Sequence, residues 1–419
     1  MSVRKFLTSD TAVNEGKIDA DSQEVTKVLL SNQNKTFFFK DLNGGEAVGN
    51  LFSTREKIAS AMHVKPSEIL NHISHAIASP RPVNIVGKPR FRENSIPVDL
   101  TSLPIPKYYP EDGGKYITAG VIIAEWNGKK NISFHRMMIT GKKKLVVRLV
   151  PRHLYTMHKM AKEAKQDLKI SICIGLRPEV LLAAATSTDY DVDELEIASS
   201  MMVSSLSRPL EVGRCDNGLL VPADADYVFE ARITSKEADE GPFVDITGTY
   251  DSVRSQPVIE VDKIWTSDAP LFQLLLPGGY EHYLLMGLPR EPMILRTVSQ
   301  VVPRTHAVRL TEGSCCWLHG IVSITKNKEG DGMNAIMAAF TGHPSMKRVT
   351  IVDEDIDIFD DRQVEWALAT RFQGNLLTIP DAAGSSLDPS ADVTTWKVGI
   401  DATLPVNADR KLFKKATLE

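Results

Sequence analysis

The chain has 419 residues, of which 42% are hydrophobic and 24% are charged. These values are ordinary for a globular protein, and the length favours two or three domains. A net charge of −4 gives no indication of a nucleic-acid or membrane surface. No apolar stretch could span a bilayer, and the first residues lack the apolar region of a secretory signal. The sequence therefore predicts a cytoplasmic protein without nucleic-acid or membrane partners.

The cysteines are Cys173, Cys215, Cys315 and Cys316. None of them forms a C-x-x-C pair, and adjacent cysteines rarely bridge each other. We interpret all four as buried thiols of a protein in a reducing compartment.

Apolar spacing predicts an α/β arrangement over residues 22–78, with a strand in KTFFFKDL and helices in TREKIASAM and KPSEILNHISHAI. The next segment, 79–114, is rich in proline and lacks helical periodicity. Such a composition is typical of a segment that links domains or wraps around one.

Short β runs such as YITAGVIIAEW, LVVRLV and FVDITGTY follow, separated by turn residues. Helices interrupt them, and the mixture predicts a barrel or a strongly bent sheet. One such helix lies in RHLYTMHKMAKEAK, where Leu154, Met157 and Ala161 share a face and are predicted to pack in the core. From about residue 293, strands alternate with helices, which predicts an α/β layer domain.

Candidate functional residues begin in the strand-like segment NISFHR, residues 131–136. Alternation along a strand puts Asn131, Ser133 and His135 on one face and Arg136 with the apolar residues on the other. An arginine on an apolar face is costly unless a carboxylate or phosphate meets it. Glu240 or Asp245 could be that partner, although each of these residues taken alone is ordinary.

Those two acids lie in EADEGPFVDITG, residues 237–248, around a Gly-Pro bend. An ordinary solvated loop could have this composition. An active site that needs two carboxylates in different protonation states could have it too. The residues alone leave both interpretations open.

A metal site is a further possibility, because His153 offers an imidazole nitrogen while Asn131 and Glu194 offer oxygens. This mixed donor set suits Mn²⁺ or Mg²⁺ better than structural zinc. The sequence contains no H-E-x-x-H, Walker or G-x-G-x-x-G motif, and the Gly-Gly pairs of EDGGKY and LPGGYEH predict turns. The acidic run DEDIDIFDD, residues 353–361, lacks EF-hand spacing and predicts a solvated strand-to-helix connection.

Eleven sequence blocks are spread over residues 79–403. In chain order they are LPIPKYYPEDGGKYITAG, NISFHRM, VPRHL, DELEIA, LEVGRCD, LLVPADADYVFEA, EGPFVDITGTY, LPGGYEHYLLMGLPREP, VDEDIDIFD, GSSLDPS and KVGIDAT. These blocks resemble those of the UbiD family of decarboxylases, which use prenylated FMN. Their occurrence in the family's order is more specific than any single motif.

The resemblance implies a multidomain fold of the α+β and α/β classes. An N-terminal α/β domain with its proline-rich connection would occupy residues 1–105. A split β-barrel like that of flavin reductases would follow over 106–292 and bind flavin and metal. A C-terminal α/β domain over 293–419 would support formation of a homodimer or a higher homo-oligomer.

The resemblance also implies a prenylated FMN cofactor whose phosphate is anchored by Mn²⁺, with K⁺ as a possible second ion. The implied Mn²⁺ ligands are Asn131, His153 and Glu194, with Glu196 as an alternative to Glu194 because the sequence that follows departs from the family pattern. A flavin prenyltransferase would supply the cofactor. The further implied cofactor contacts are Phe134, His135, Arg136, Arg152 and Lys326.

The implied catalytic residues are Arg136, Glu240 and Asp245. Arg136 would pair with Glu240 and keep it ionised, while Asp245 would face the substrate and hold the proton that it donates. The Gly-Pro bend would allow both carboxylates to converge on one cofactor.

Three functions compete. The modest length and the FHR block resemble short archaeal members of the family, which decarboxylate trans-anhydromevalonate 5-phosphate to isopentenyl phosphate in a modified mevalonate pathway. The second hypothesis is decarboxylation of an aromatic acid such as 4-hydroxy-3-polyprenylbenzoate in quinone synthesis. The third is a non-catalytic flavin-binding protein, which would have no need of a proton donor such as Asp245.

Overall fold

The computed structural model of the chain describes residues 2–391 and 394–416. It divides into two compact units, Met1–Pro289 and Arg290–Glu419. The domain boundaries expected at 105/106 and 292/293 stay predictions. Within the described part of the chain, no helix is long and apolar enough to cross a membrane.

The first unit opens with a small sheet in the order β1-β2-β3-β18, in which β18 pairs in parallel with β3. Thr54 caps the second helix, because its side chain accepts the backbone N–H of Lys57. The elements are β1 (Ala12–Ile18), α1 (Glu24–Ser31), β2 (Phe37–Leu42), β3 (Gly45–Gly49), α2 (Arg55–Met62) and α3 (Ile69–Ala78).

The rest of this unit is mainly β-structure. Its strands are β4 (Asn84–Ile85), β5 (Asn94–Ile96), β6 (Tyr116–Ile117), β7 (Val121–Trp126), β8 (Lys129–Phe134), β9 (Met137–Gly141), β10 (Lys144–Val147), β11 (Leu168–Ile174), β12 (Glu211–Arg214), β13 (Leu220–Pro222), β14 (Tyr227–Glu240), β15 (Phe243–Val244), β16 (Tyr250–Asp251), β17 (Arg254–Thr266) and β18 (Phe272–Gln273). Its helices are α4 (His153–Glu163), α5 (Pro178–Ala184), α6 (Glu194–Leu206) and α7 (Tyr280–Gly287).

Most of these strands form one sheet in the order β6-β9-β10-β17-β14-β11-β7-β8, with β5 paired to β17. The described pairings leave β6 and β8 at opposite ends of the order, so closure into a split barrel is not confirmed. The mixed α/β content with several sheets is confirmed. As predicted, Leu154, Met157 and Ala161 of α4 are buried in the core of this sheet.

The second unit is an α/β layer with the strand order β19-β20-β21-β23-β22. Asp353, at the start of the acidic run, ends β21 and forms a fully buried ion pair with Arg371, so the prediction of a solvated connection is wrong for this residue. The elements are α8 (Glu291–Val301), β19 (Thr305–Leu310), β20 (His319–Ile324), α9 (Asp331–Gly342), β21 (Arg348–Asp353), α10 (Asp361–Thr370), β22 (Leu376–Ala383) and β23 (Thr394–Asp401).

Short 3-10 helices occur along the chain at Val3–Phe6, Pro66–Glu68, Arg90–Arg92, Leu100–Ser102, Leu288–Arg290, Glu312–Ser314 and Arg410–Phe413. The cysteines are less uniform than predicted. Cys173, Cys215 and Cys316 are buried, whereas Cys315 is partly exposed.

The Gly-Gly pair of EDGGKY is more than a turn, because it allows two backbones to meet. The N–H of Gly113 donates to the carbonyl of Pro242 at 2.8 Å. A Cβ on Gly113 would lie 2.1 Å from the carbonyl oxygen of Gly241. Only glycine therefore fits where this segment contacts the Gly-Pro bend.

We expect Gly113→Ala to lower the free energy of unfolding by about 1–3 kcal/mol, because the added methyl group forces the two backbones apart. Gly141→Ala is the matched control, since a Cβ there meets no atom within 4 Å. Its effect should stay within about 0.5 kcal/mol. Chemical denaturation of both variants measures the difference, and equal stabilities would contradict the close approach.

Candidate active site

The centre of the site is Arg136, which lies between β8 and β9 and meets three carboxylates. Its Nε and Nη2 donate to the two carboxylate oxygens of Glu240, each at 2.9 Å. Its Nη1 donates to Asp245 Oδ2 at 2.8 Å, and Nη2 also donates to Asp251 Oδ2 at 2.8 Å. The structure thus brings together Arg136, Glu240 and Asp245, and it adds Asp251, which the sequence analysis missed.

These ion pairs are largely shielded from solvent. The Glu240 side chain is fully buried and the Arg136 side chain is 9% exposed, whereas Asp245 is 20% exposed. Burial by itself would lower the pKa of Arg136, but hydrogen bonding to Glu240 and the charges of Glu240, Asp245 and Asp251 raise it. The guanidinium is therefore permanently charged, and Asp245 is the more accessible of the two predicted acids.

The local fold explains how acids five residues apart converge. Glu240 ends β14, and Gly241 follows with φ +103°, a conformation that favours glycine. The chain then forms a short hairpin in which Phe243 of β15 pairs with Asp251 of β16. Asp245 lies in the hairpin turn, where its N–H donates to a backbone carbonyl at 3.0 Å. The hairpin thus presents Asp245 and Asp251 to the same guanidinium.

Two aromatic rings fix the arginine and its main partner. The guanidinium carbon of Arg136 lies 4.7 Å from the centre of the Phe243 ring, which suits a cation–π contact. The Tyr116 ring packs on Phe243 with centroids 4.5 Å apart, and the Tyr116 hydroxyl donates to Glu240 Oε1 at 3.2 Å. Burial and the charge of Glu240 raise the pKa of Tyr116, so this hydroxyl stays a donor.

His282, in the LPGGYEH block, lies beside Asp245. Its Nδ1 accepts the backbone N–H of Gly278 at 3.2 Å. Burial lowers the pKa of His282, although the charge of Asp245 acts in the opposite direction. A neutral ring with an accepting Nδ1 carries its proton on Nε2. The sequence analysis did not identify His282 as a site residue, and its only local signal is the Glu-His pair of this block.

Two further arginines surround Asp251. Arg254 Nη1 donates to Asp251 Oδ1 at 2.5 Å, and Arg148 Nε lies 3.9 Å from Asp251 Oδ2. Burial lowers the pKa of Arg148, and the charges of Arg254 and Arg136 lower it further. Asp251 is therefore shared among three cations beside the candidate site.

Two of the three predicted metal ligands meet in the interior. Glu194, the first residue of α6, accepts the N–H of Ile132 at 3.0 Å and the hydroxyl of Thr188 at 3.1 Å. Asn131 Nδ2 lies 3.4 Å from Glu194 Oε1. These neutral partners leave the buried carboxylate without a compensating charge, and burial raises its pKa to about 7. Such a carboxylate beside an amide group fits a hard cation.

His153, the third predicted ligand, begins α4 and makes an edge-to-face contact with Tyr190 at 5.2 Å. Burial and the charge of Arg152 lower the pKa of His153, so its ring is a neutral potential ligand. Among the residues that the structure describes, no three His, Cys, Asp or Glu side chains form a metal cluster. Glu196, the alternative ligand, is partly exposed, whereas Glu194 is buried.

The remaining predicted cofactor residues have separate surroundings. Phe134 ends β8 and is half-buried, while His135 contacts Ser133 and the Arg148 carbonyl. Arg152 Nη1 donates to Ser187 Oγ at 2.8 Å. In the second unit, Lys326 is buried and forms an ion pair with Glu329 at 3.0 Å. Flavin contacts by these residues stay predictions.

Comparison with known families gives three consecutive matches. Residues 16–77, 84–280 and 283–402 match the N-terminal domain, the Rift-related domain and the C-terminal domain of 3-octaprenyl-4-hydroxybenzoate carboxy-lyase, all of the UbiD family. Together these matches cover most of the chain.

Curated relatives agree with this. The chain is 44% identical over 430 aligned positions to the anhydromevalonate phosphate decarboxylase of Methanothermobacter thermautotrophicus, covering 100% of both chains. It is 43% identical to the enzyme of the same name from Methanocaldococcus jannaschii, covering 94% of each. A phenolic acid decarboxylase from Bacillus subtilis is 30% identical, covering 78% of this chain and 72% of that protein.

Solved structures share the fold. The UbiD-class enzyme HmfF from Pelotomaculum thermopropionicum, determined in complex with FMN, superposes with a TM-score of 0.94 at 36% identity. The superposition covers 100% of this chain and 97% of that one. An evolved dimeric form of HmfF in complex with prFMN gives a TM-score of 0.89 at 34% identity, covering 98% and 96% of the two chains. The chain therefore belongs to the UbiD family.

Proposed function

We propose that this chain is a non-oxidative decarboxylase of trans-anhydromevalonate 5-phosphate that forms isopentenyl phosphate in a modified mevalonate pathway. The observation that carries the proposal is an intact Arg136–Glu240–Asp245 network in a chain 44% identical, end to end, to an anhydromevalonate phosphate decarboxylase. Four more archaeal relatives of 41–43% identity have the same name. A protein that only bound flavin would have no need of this network and its proton donor, so we propose an enzyme instead.

The proposed cofactor is prenylated FMN, supplied by a flavin prenyltransferase and anchored by Mn²⁺, with K⁺ as a second ion. Support comes from the FMN and prFMN complexes of HmfF and from the buried Asn131–Glu194 pair. Asn131, His153 and Glu194 would hold the metal. When bound, the prenylated flavin supplies an electron sink for the charge that departing CO₂ leaves behind. A homo-oligomer is proposed as the working assembly.

Arg136 and Glu240 would orient the reacting end of the substrate. Arginine has five N–H donors, and the carboxylates of Glu240, Asp245 and Asp251 engage all but one of them. The remaining donor, on Nη1, is available for the substrate carboxylate. Since Glu240 is fully buried and binds Arg136 through both oxygens, it fixes the direction in which that donor points.

Asp245 would take up a proton from solvent and deliver it in place of CO₂. It is bound to the same Nη1 and is the more exposed of the two predicted acids, so it can turn towards the substrate carbon. Its backbone N–H donates to a carbonyl at 3.0 Å within the hairpin turn that carries the side chain. The proton goes to the carbon that lost the carboxyl group, which is general acid catalysis.

We expect Asp245→Asn to lower kcat by about 10²–10⁴-fold, because an amide keeps the hydrogen-bonding shape of the acid but cannot deliver the proton. Asp239→Asn is the matched control, since Asp239 is exposed on the same strand as Glu240. Its kcat should equal that of the unmodified enzyme. CO₂ release by reconstituted protein measures both, after mass spectrometry has verified the flavin content. Near-normal turnover in Asp245→Asn would remove Asp245 from the mechanism.

Substitutions of two neighbouring acids, Glu194 and Glu196, test the assignment of the metal ligands. Glu194→Gln should lower both Mn²⁺ and flavin content, as should His153→Ala, because each change removes a proposed ligand. Glu196→Gln should leave both contents unchanged, since Glu196 lies two residues along the helix and is partly exposed. Elemental analysis and flavin absorbance give the readout. Full Mn²⁺ occupancy in Glu194→Gln or His153→Ala would contradict the assignment of that residue.

The substrate class is tested by giving the reconstituted enzyme anhydromevalonate phosphate and, separately, a hydroxybenzoate. We expect CO₂ release from the phosphorylated enoate alone, in keeping with the archaeal relatives. Turnover of only the aromatic acid would instead support the activity suggested by the more distant phenolic acid decarboxylases.

A further inference from the structure

Ser133 lies between the Asn131–Glu194 pair, which is the metal half of the candidate site, and the Arg136 network. Two neighbouring groups could each accept the one hydrogen bond that its hydroxyl can donate. Its Oγ lies 2.9 Å from Asn131 Oδ1 and 2.8 Å from His135 Nε2. A serine hydroxyl has one proton to donate, although it can accept two hydrogen bonds. It cannot donate to both neighbours, so one of the two contacts must have the opposite direction.

The other ring nitrogen of His135, Nδ1, determines which of the two Ser133 contacts is the donated one. His135 Nδ1 lies 3.1 Å from the carbonyl oxygen of Arg148. A carbonyl only accepts, so Nδ1 carries a proton. Burial lowers the pKa of His135 to about 4, which keeps the ring neutral at ordinary pH. With its single proton on Nδ1, the ring presents a lone pair at Nε2, and Ser133 must donate to it.

The direction of the remaining contact follows. Because the Ser133 hydroxyl donates its one hydrogen bond to His135, it can only accept from Asn131. The oxygen and nitrogen ends of a carboxamide have nearly the same shape, so hydrogen bonds determine which end occupies which position. Asn131 therefore carries its NH₂ group on the side of Ser133 and its oxygen on the side of Glu194, which exchanges the Oδ1 and Nδ2 positions given above.

We infer that the Arg148 carbonyl, His135 and Ser133 form a chain of hydrogen bonds that holds the Asn131 amide oxygen towards Glu194 for cation binding. His135 and Ser133 are thus positioning residues for the metal half of the site, and the inference rests on the metal proposed above. Two buried oxygens about as close as the 3.4 Å between Asn131 and Glu194 repel each other unless a cation or a proton lies between them. The chain of hydrogen bonds therefore prepares the pair to hold a cation once Glu194 is ionised.

His135→Phe tests the inference, because phenylalanine keeps an aromatic ring but has no lone pair for Ser133. The freed hydroxyl then donates to the Asn131 oxygen and turns the NH₂ group towards Glu194. We expect Mn²⁺ affinity to fall by about 10–100-fold, as is typical when an outer hydrogen-bond partner of a metal ligand is removed. Mn²⁺ electron paramagnetic resonance titration of the flavin-free protein measures affinity without any catalytic readout.

A second substitution separates amide orientation from general damage. Adding Ser133→Ala to His135→Phe removes the hydroxyl that holds the amide the wrong way round, so the double variant should bind Mn²⁺ more tightly than His135→Phe alone. A merely structural role for His135 predicts equal or weaker binding in the double variant. Unchanged affinity in His135→Phe, or no recovery in the double variant, would overturn the inference.

The ring proton can also be located directly in the unmodified protein. Nitrogen-15 NMR of histidine-labelled protein should show the His135 proton on Nδ1 and a lone pair on Nε2. A proton on Nε2 would overturn the inference even if both variants failed to fold. If the unmodified protein binds no Mn²⁺ but shows the expected ring proton, the proposed metal fails while the hydrogen-bond directions stand.

Discussion

The arrangement of the site depends on one constraint, which is that Arg136 keeps its charge in a largely buried position. Removing one partner of a buried ion pair typically costs about 3–5 kcal/mol, so a guanidinium there needs its carboxylates held firmly in place. The end of β14 supplies Glu240, and the β15–β16 hairpin supplies Asp245 and Asp251. Tyr116 and Phe243 fill the space around them. The geometry needed to neutralise one cation therefore also assembles the proposed proton-transfer apparatus.

The segment from Asn131 to Arg136 joins the two halves of the site. Its first residue lies beside Glu194, and its last binds the three carboxylates. The backbone N–H of Arg148 donates to the Arg136 carbonyl at 3.2 Å, while the Arg148 carbonyl faces His135. Residues 131–136 thus fix the separation between the proposed metal and the proposed proton donor, and a shift of β8 would disturb both.

Much of this could be predicted from sequence where a local pattern carries the information. Alternation placed Asn131, Ser133 and His135 on one face of a strand, in keeping with the contacts that Ser133 makes to the other two, and the cost of burying Arg136 pointed to carboxylates as its partners. Other features depend on contacts remote in sequence. Asp251 was missed because only the hairpin brings it to Arg136, and the glycine at 113 is explained only by the backbone at Gly241. The buried Asp353–Arg371 pair escaped notice because the acidic run resembles a solvated one.

The central claim is that the Arg136 network lets Asp245 place a proton on the carbon that loses CO₂. The most direct measurement is the reaction of reconstituted enzyme with anhydromevalonate phosphate in D₂O, followed by mass spectrometry and NMR of the product. The account predicts isopentenyl phosphate with one deuterium on the carbon that carried the carboxyl group, formed in step with CO₂ release. Product without deuterium at that carbon, or no CO₂ from this acid, would contradict it.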